Sequence, residues 1–194
     1  LFDVSGYLSK PFDLDRFESQ LTASQSLTLT QLMQHAGAAA WRVLQLQWPD
    51  CKTLVVYCGK GNNGGDGFVL AQRAHEAGLI VTVYALAMPD AMQGIAADAA
   101  SACQSAGVTI LPIAMDSAHK ADVIVDALLG IGCDRPLENP ISDLVTRINQ
   151  SGSPVYAIDV PTGVNADTGY VASVAINATV TVTFLALKLG LFTA

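Results

Sequence analysis

From Thr53 onward, short β-branched apolar runs alternate with amphipathic segments, and this alternation restricts the fold more than any other feature of the chain. Strands are predicted over Thr53–Tyr57, Ile80–Leu86, Val108–Leu111, Asp122–Asp126, Pro154–Ile158 and Thr179–Leu185. Helices are predicted between them, over Asp66–Ala77, Asp90–Ser105 and Asn139–Gln150. Ahead of the alternation, Thr28 and Gln31 form a capping box, the apolar positions Leu32, Ala36, Ala39, Ala40 and Val43 follow helical spacing, and Pro49 stops the helix. A short helix is also predicted over residues 13–25. Strands alternating with helices imply an α/β fold: a mostly parallel sheet with right-handed crossovers and helices on both faces. No internal repeat or low-complexity linker interrupts it, so residues 1–194 read as a single domain, with 1–26 an N-terminal helical extension.

Composition agrees with a buried sheet. Hydrophobic residues make up 51% of the 194 residues and charged ones 14%. With ten Lys and Arg, a net charge of -7 and no basic run, nucleic-acid binding is not expected. Gly169–Leu187 carries no charge, but Asn177, Thr179, Thr181 and Thr183 alternate with apolar residues, which predicts a strand rather than a membrane span. Cys51, Cys58, Cys103 and Cys133 form no C-x-x-C and no zinc spacing, as expected of reduced thiols in a cytoplasmic protein. His35, His75 and His119 lie away from the glycine-rich motifs and read as surface or partly packed residues.

In a parallel sheet, ligands bind outside the carboxyl ends of the strands. The segments there are "CGKGNNGGDG", "DALLGIGCDRP", "DVPTGVNADTG" and "ALKLG". Gly59, Gly61 and Gly64 satisfy G-x-G-x-x-G, and glycines there allow positive φ and close backbone approach to a ligand. A helix opening at Asp66 would aim free N–H groups at the same place. The acidic residue that dinucleotide binding places after the second strand is missing, however: the first acid is Asp90, beyond Pro89. That counts against an NAD(P)-dependent oxidoreductase. Asp126 closes the fourth strand, either as a cation or hydroxyl ligand or as a capping residue, and Arg135 is placed for a phosphate or a loop salt bridge. Asp159 closes the fifth strand, suited to acid–base work or to an Asx turn. Lys188 is a lone lysine in apolar surroundings, which either snorkels to solvent or serves the site.

Taken together, "GNNGGDGFVLA", "VDALLGIGCDRP", "AIDVPTGVNADTG" and "TFLALKLGL" closely resemble the YjeF N-terminal domain, the NAD(P)HX epimerases, from about Leu27 to the end. The resemblance implies a Rossmann-like three-layer α/β/α sandwich, truncated here at its C-terminus. It implies an isomerase of metabolite repair that interconverts the R and S forms of hydrated NADH and NADPH, supplying an ADP-dependent, S-specific dehydratase that is often fused as a C-terminal domain. Carried over by motif, Asp159 would be the general acid/base and Lys188 its partner. Substrate contacts would be Asn62, Asn63, Gly64, Gly65, Asp66, Gly130, Ile131, Gly132, Cys133, Asp134, Arg135, Pro136 and Asp159. A potassium ion would be held by Asn63, Asp126 and Thr162, all oxygen donors, with Thr162 standing where many members have Ser. The family implies a cytoplasmic homodimer or higher homo-oligomer with no membrane partner. A non-catalytic scaffold of the same fold is the alternative, and such a chain need not keep Asn63, Asp126, Asp159 and Lys188 together.

Overall fold

The computed structural model describes residues 27–113, 119–131 and 135–193. The helix predicted over 13–25, the extension 1–26 and the candidate substrate contacts Gly132, Cys133 and Asp134 lie outside the described residues. In chain order the elements are α1 (Leu29–Gln47), β1 (Thr53–Cys58), α2 (Asn62–Glu76), β2 (Ile80–Ala85), a 3-10 turn (Pro89–Ala91), α3 (Gly94–Ser105), β3 (Thr109–Pro112), β4 (Val123–Ala127), α4 (Ile141–Gln150), β5 (Val155–Ile158), β6 (Val180–Val182) and a closing 3-10 turn (Leu189–Phe192).

The six strands form one sheet of order β3-β2-β1-β4-β5-β6, and every neighbouring pair is parallel. The chain winds outward from β1 through β2 to β3, then crosses back to β4. The order therefore reverses between β1 and β4, where the turns leaving the two strands part and open a crevice. Alternating side chains feed two cores. Leu54, Val56 and Cys58 of β1 pack beneath α1, α2 and α3, while Val55 and Tyr57 face α4. Among the described residues helices thus cover both faces, three on one and one on the other. No described helix is long and apolar enough to cross a membrane.

The capping box at Thr28 forms as predicted: the Gln31 N–H donates to the Thr28 hydroxyl and the Thr28 N–H to Gln31 Oε1. Several boundaries differ from the sequence prediction, two of them at the carboxyl edge of the sheet. Helix α2 begins at Asn62 rather than Asp66, so N-N-G-G-D is its first turn and not a loop. None of Gly59, Gly61, Gly64, Gly65 and Gly67 has positive φ. Their smallness serves packing: a Cβ on Gly59 would stand 1.8 Å from the Leu128 carbonyl oxygen, one on Gly64 2.0 Å from the Gly59 oxygen, and one on Gly67 2.6 Å from Ala127 Cβ. The glycines let α2 lie directly across the tips of β1 and β4. The last strand is also shorter than Thr179–Leu185. It pairs over Val180–Val182 only, because the chain turns sharply at Leu185, where φ is 64°.

Candidate functional site

Among the described residues two polar centres form at the carboxyl edge of the sheet, one buried and one part-buried. The first is built on Asp126, which is fully buried near the tip of β4. Its carboxylate accepts from the Thr162 N–H at 2.8 Å, from the Thr162 hydroxyl at 2.7 Å and from the Leu128 N–H at 3.2 Å. Burial pushes its pKa up to about 6, partly offset by those hydrogen bonds. Among the described residues no cationic side chain pairs with it. Thr162 in turn accepts from the Leu129 N–H at 3.1 Å, and Asn63 in the first turn of α2 donates Nδ2–H to the Leu129 carbonyl at 2.9 Å. Asn63, Asp126 and Thr162, far apart in sequence, are thereby tied to one short segment, Leu128–Leu129. Asn63 Oδ1 is left over: among the described residues it is the one buried side-chain oxygen or nitrogen with no hydrogen-bond partner. Leaving such an acceptor dry costs on the order of 1–3 kcal/mol.

That donor set fits a potassium ion. A buried carboxylate with no cationic partner among the described residues, a hydroxyl hydrogen-bonded to it, and an unsatisfied amide oxygen whose own amide is tied to the same Leu128–Leu129 segment are the hard oxygen donors such a cation takes.

The second centre is Asp159, one residue past the end of β5. Its φ is 67°, a left-handed conformation that non-glycine residues rarely adopt. The Asp159 N–H donates to the Val182 carbonyl at 2.7 Å, which extends the β5–β6 ladder through the turn and holds it in that shape. Lys188, 8% exposed, reaches back from just before the closing 3-10 turn and donates to Asp159 Oδ1 at 2.5 Å. It also donates to the Thr183 hydroxyl at 2.9 Å and to the Phe184 carbonyl at 2.8 Å. The ion pair that sequence reasoning set side by side is thus present.

Gly130 joins the two centres. A Cβ there would lie 3.4 Å from Asn63 Cβ and 3.5 Å from Asp159 Oδ2. The glycine therefore keeps open the space between the first turn of α2 and the acid. Asn62 is exposed at the start of α2, while Gly64 and Gly65 are buried beneath it and Asp66 is half-buried one turn on. Ile131, Arg135 and Pro136 are exposed on the loop after β4. Sequence reasoning missed Thr183, which reads only as one more threonine in an alternating strand; its distance of five residues from a lone lysine was the available signal. His119 bears out the packed reading: its ring stacks on Tyr84 at 3.9 Å and its backbone N–H donates to the Tyr57 hydroxyl at 3.1 Å.

Comparison with known proteins agrees with the fold. The chain is 45% identical over 174 residues to a bifunctional NAD(P)H-hydrate repair enzyme of Coxiella burnetii, covering 90% of this chain and 36% of that protein. It is 37% identical over 188 residues to an NAD(P)H-hydrate epimerase of Limosilactobacillus fermentum, covering 90% of this chain and 87% of the relative. The crystal structure of the yeast protein YNL200c superposes with a TM-score of 0.76 at 25% identity, over 90% of this chain and 79% of that one. The chain spans about a third of the length of the bifunctional relatives, 36% in Coxiella burnetii and 35% in Escherichia coli. The family model described as YjeF-related protein N-terminus matches residues 29–190, and the chain belongs to that family.

Proposed function

We propose that this domain is an NAD(P)H-hydrate epimerase, interconverting the R and S forms of hydrated NADH and NADPH. The observation that carries the reading is the Asp159–Lys188 ion pair, separated by Gly130 from Asn63, which is tied with Asp126 and Thr162 to Leu128–Leu129. Relatives bearing the epimerase name support it.

The reacting carbon, C6 of the reduced ring, carries a hydroxyl and is bonded to the ring nitrogen. Inversion goes through ring opening at the C6–N bond or through breaking of the C6–O bond; in the second route the electron pair leaves on oxygen while the nitrogen lone pair forms C6=N. The hydroxyl takes a proton and departs as water. Water then adds to the opposite face and gives a proton back. One carboxyl group placed at that oxygen serves both steps, as acid and then as base. Asp159 fills this role. Its Oδ1 is committed to Lys188 and Thr183, and its Oδ2 faces the gap that Gly130 leaves. Lys188 stabilises the carboxylate that remains once the proton has been given up. The first turn of α2, with Asn62 and Asn63, and the Gly130–Pro136 loop would hold the cofactor's polar groups. Asn63, Asp126 and Thr162 would hold potassium, which supplies positive charge beside the substrate.

The same reading carries a cytoplasmic setting, a homodimer and, in a longer protein, a fused ADP-dependent dehydratase domain that consumes the S form. Purified domain incubated with isolated R epimer should produce S, resolved by chromatography, and faster in potassium than in choline chloride. Persistence of pure R epimer with folded protein would overturn the assignment.

A further inference from the structure

We infer that Thr183 is a positioning residue that dedicates Lys188 to Asp159 and leaves Asp159 Oδ2 as the single proton-transferring atom of the pair. A lysine ammonium has three N–H donors and no acceptor. All three are spent inside the protein: on Asp159 Oδ1 at 2.5 Å, on the Thr183 hydroxyl at 2.9 Å and on the Phe184 carbonyl at 2.8 Å. Lys188 therefore has no N–H left to donate to a substrate oxygen.

Thr183 has one hydroxyl proton and accepts through its oxygen lone pairs. It accepts from Lys188 and donates its proton to Asp159 Oδ1 at 3.2 Å. Asp159, Thr183 and Lys188 thus form a closed ring of directed hydrogen bonds in which Oδ1 takes two donors. Oδ2 takes none among the described residues. It lies beside Gly130, 3.5 Å from where a Cβ on that glycine would stand. The two sharp turns frame the ring. Asp159 at φ 67° aims the carboxylate, and Leu185 at φ 64° turns the Phe184 carbonyl and the following chain back so that Lys188 reaches it. Two left-handed non-glycine residues on one ion pair fit strain held in place for positioning. Without the Thr183 hydroxyl, Lys188 gains a free donor and Asp159 loses one of the bonds fixing its rotamer.

The inference rests on the epimerase reading for its kinetic arm only. In that arm, Thr183→Val should lower kcat about 10–100-fold, the usual worth of a hydrogen bond to a charged group, with KM little changed. Thr183→Ser, which keeps the hydroxyl, should recover most of the loss. In the second arm, the Lys188 ammonium resonance of 15N-lysine-labelled protein should be sharp in wild type and Thr183→Ser. It should be broadened by water exchange in Thr183→Val. Thr183→Ala replaces the valine variant if that one does not fold. Wild-type kcat with a sharp ammonium signal in the hydroxyl-free variants overturns the inference, as does a serine variant as impaired as valine. If wild type fails to interconvert epimers while the ammonium signal responds as expected, the functional reading falls and the positioning role stands.

Discussion

Asp126 and Asp159 close neighbouring strands of one sheet, yet the fold treats their charges in opposite ways. Asp159 receives a cation from the chain itself, Lys188, and its side chain is 13% exposed. Among the described residues Asp126 receives only the dipoles of Thr162 and Leu128, and it is fully buried. A lone charge in the interior is costly unless paired. Asp159 has its counter-charge as folded, whereas Asp126 has none among the described residues. In the proposed function the paired carboxylate does the chemistry and the unpaired one holds the ion, a division that the residue type alone does not predict.

The largest expected break in this contrast is Asp159→Asn. It keeps shape and hydrogen-bonding capacity but removes the exchangeable acid. Epimerisation should fall roughly 10²–10⁴-fold, the span of general acid–base catalysis. The melting-temperature gain on adding potassium should be retained. Loss of that gain would show that the two centres are not separable.

Asp126 makes the next prediction. Its pKa is raised by burial from 3.8 to about 6, so the folded state binds its proton more tightly than the unfolded chain. The stability that this contributes is fully present below about pH 4 and is lost as pH rises through 6, about 3 kcal/mol at 1.36 kcal/mol per unit. In choline chloride, the stability of wild type relative to Asp126→Asn should therefore decline between pH 4 and pH 7. Potassium chloride should restore wild type at pH 8 and do little at pH 4. Urea melts in the two salts read both effects, and a pH-independent difference would sink the account.

Gly64→Ala tests how the ion centre is held. Its Cβ would stand 2.0 Å from the Gly59 oxygen, so α2 must shift, at roughly 1–3 kcal/mol. Because Asn63 rides on the same turn, the potassium response should weaken more than the Asp159–Lys188 pair is disturbed. The smallest effect belongs to Gly130→Ala. Its added Cβ meets Asn63 and Asp159 at 3.4 and 3.5 Å, which are tolerable contacts, so stability should hold. KM should rise by about threefold, order of magnitude, as substrate loses room.

The alternation of apolar and amphipathic segments settled the parallel sheet and its helices, because period and burial are local properties of sequence. It also placed Asp126, Asp159 and Lys188 at one edge, since strand ends in a parallel sheet share an edge. The glycines were harder. Their pattern suggested room for a ligand, but the steric demand comes from Leu128, Gly59 and Ala127, which contact them only once α2 lies across β1 and β4. Thr183 was invisible for the same reason: an alternating threonine becomes part of a hydrogen-bonded ring only when the chain turns back at Leu185. By itself the sequence determined which carboxylates exist and which strand tips carry them. Tertiary structure alone decided which one meets a lysine and which is sealed from water without a counter-charge, because desolvation and pairing depend on distances set by long-range packing.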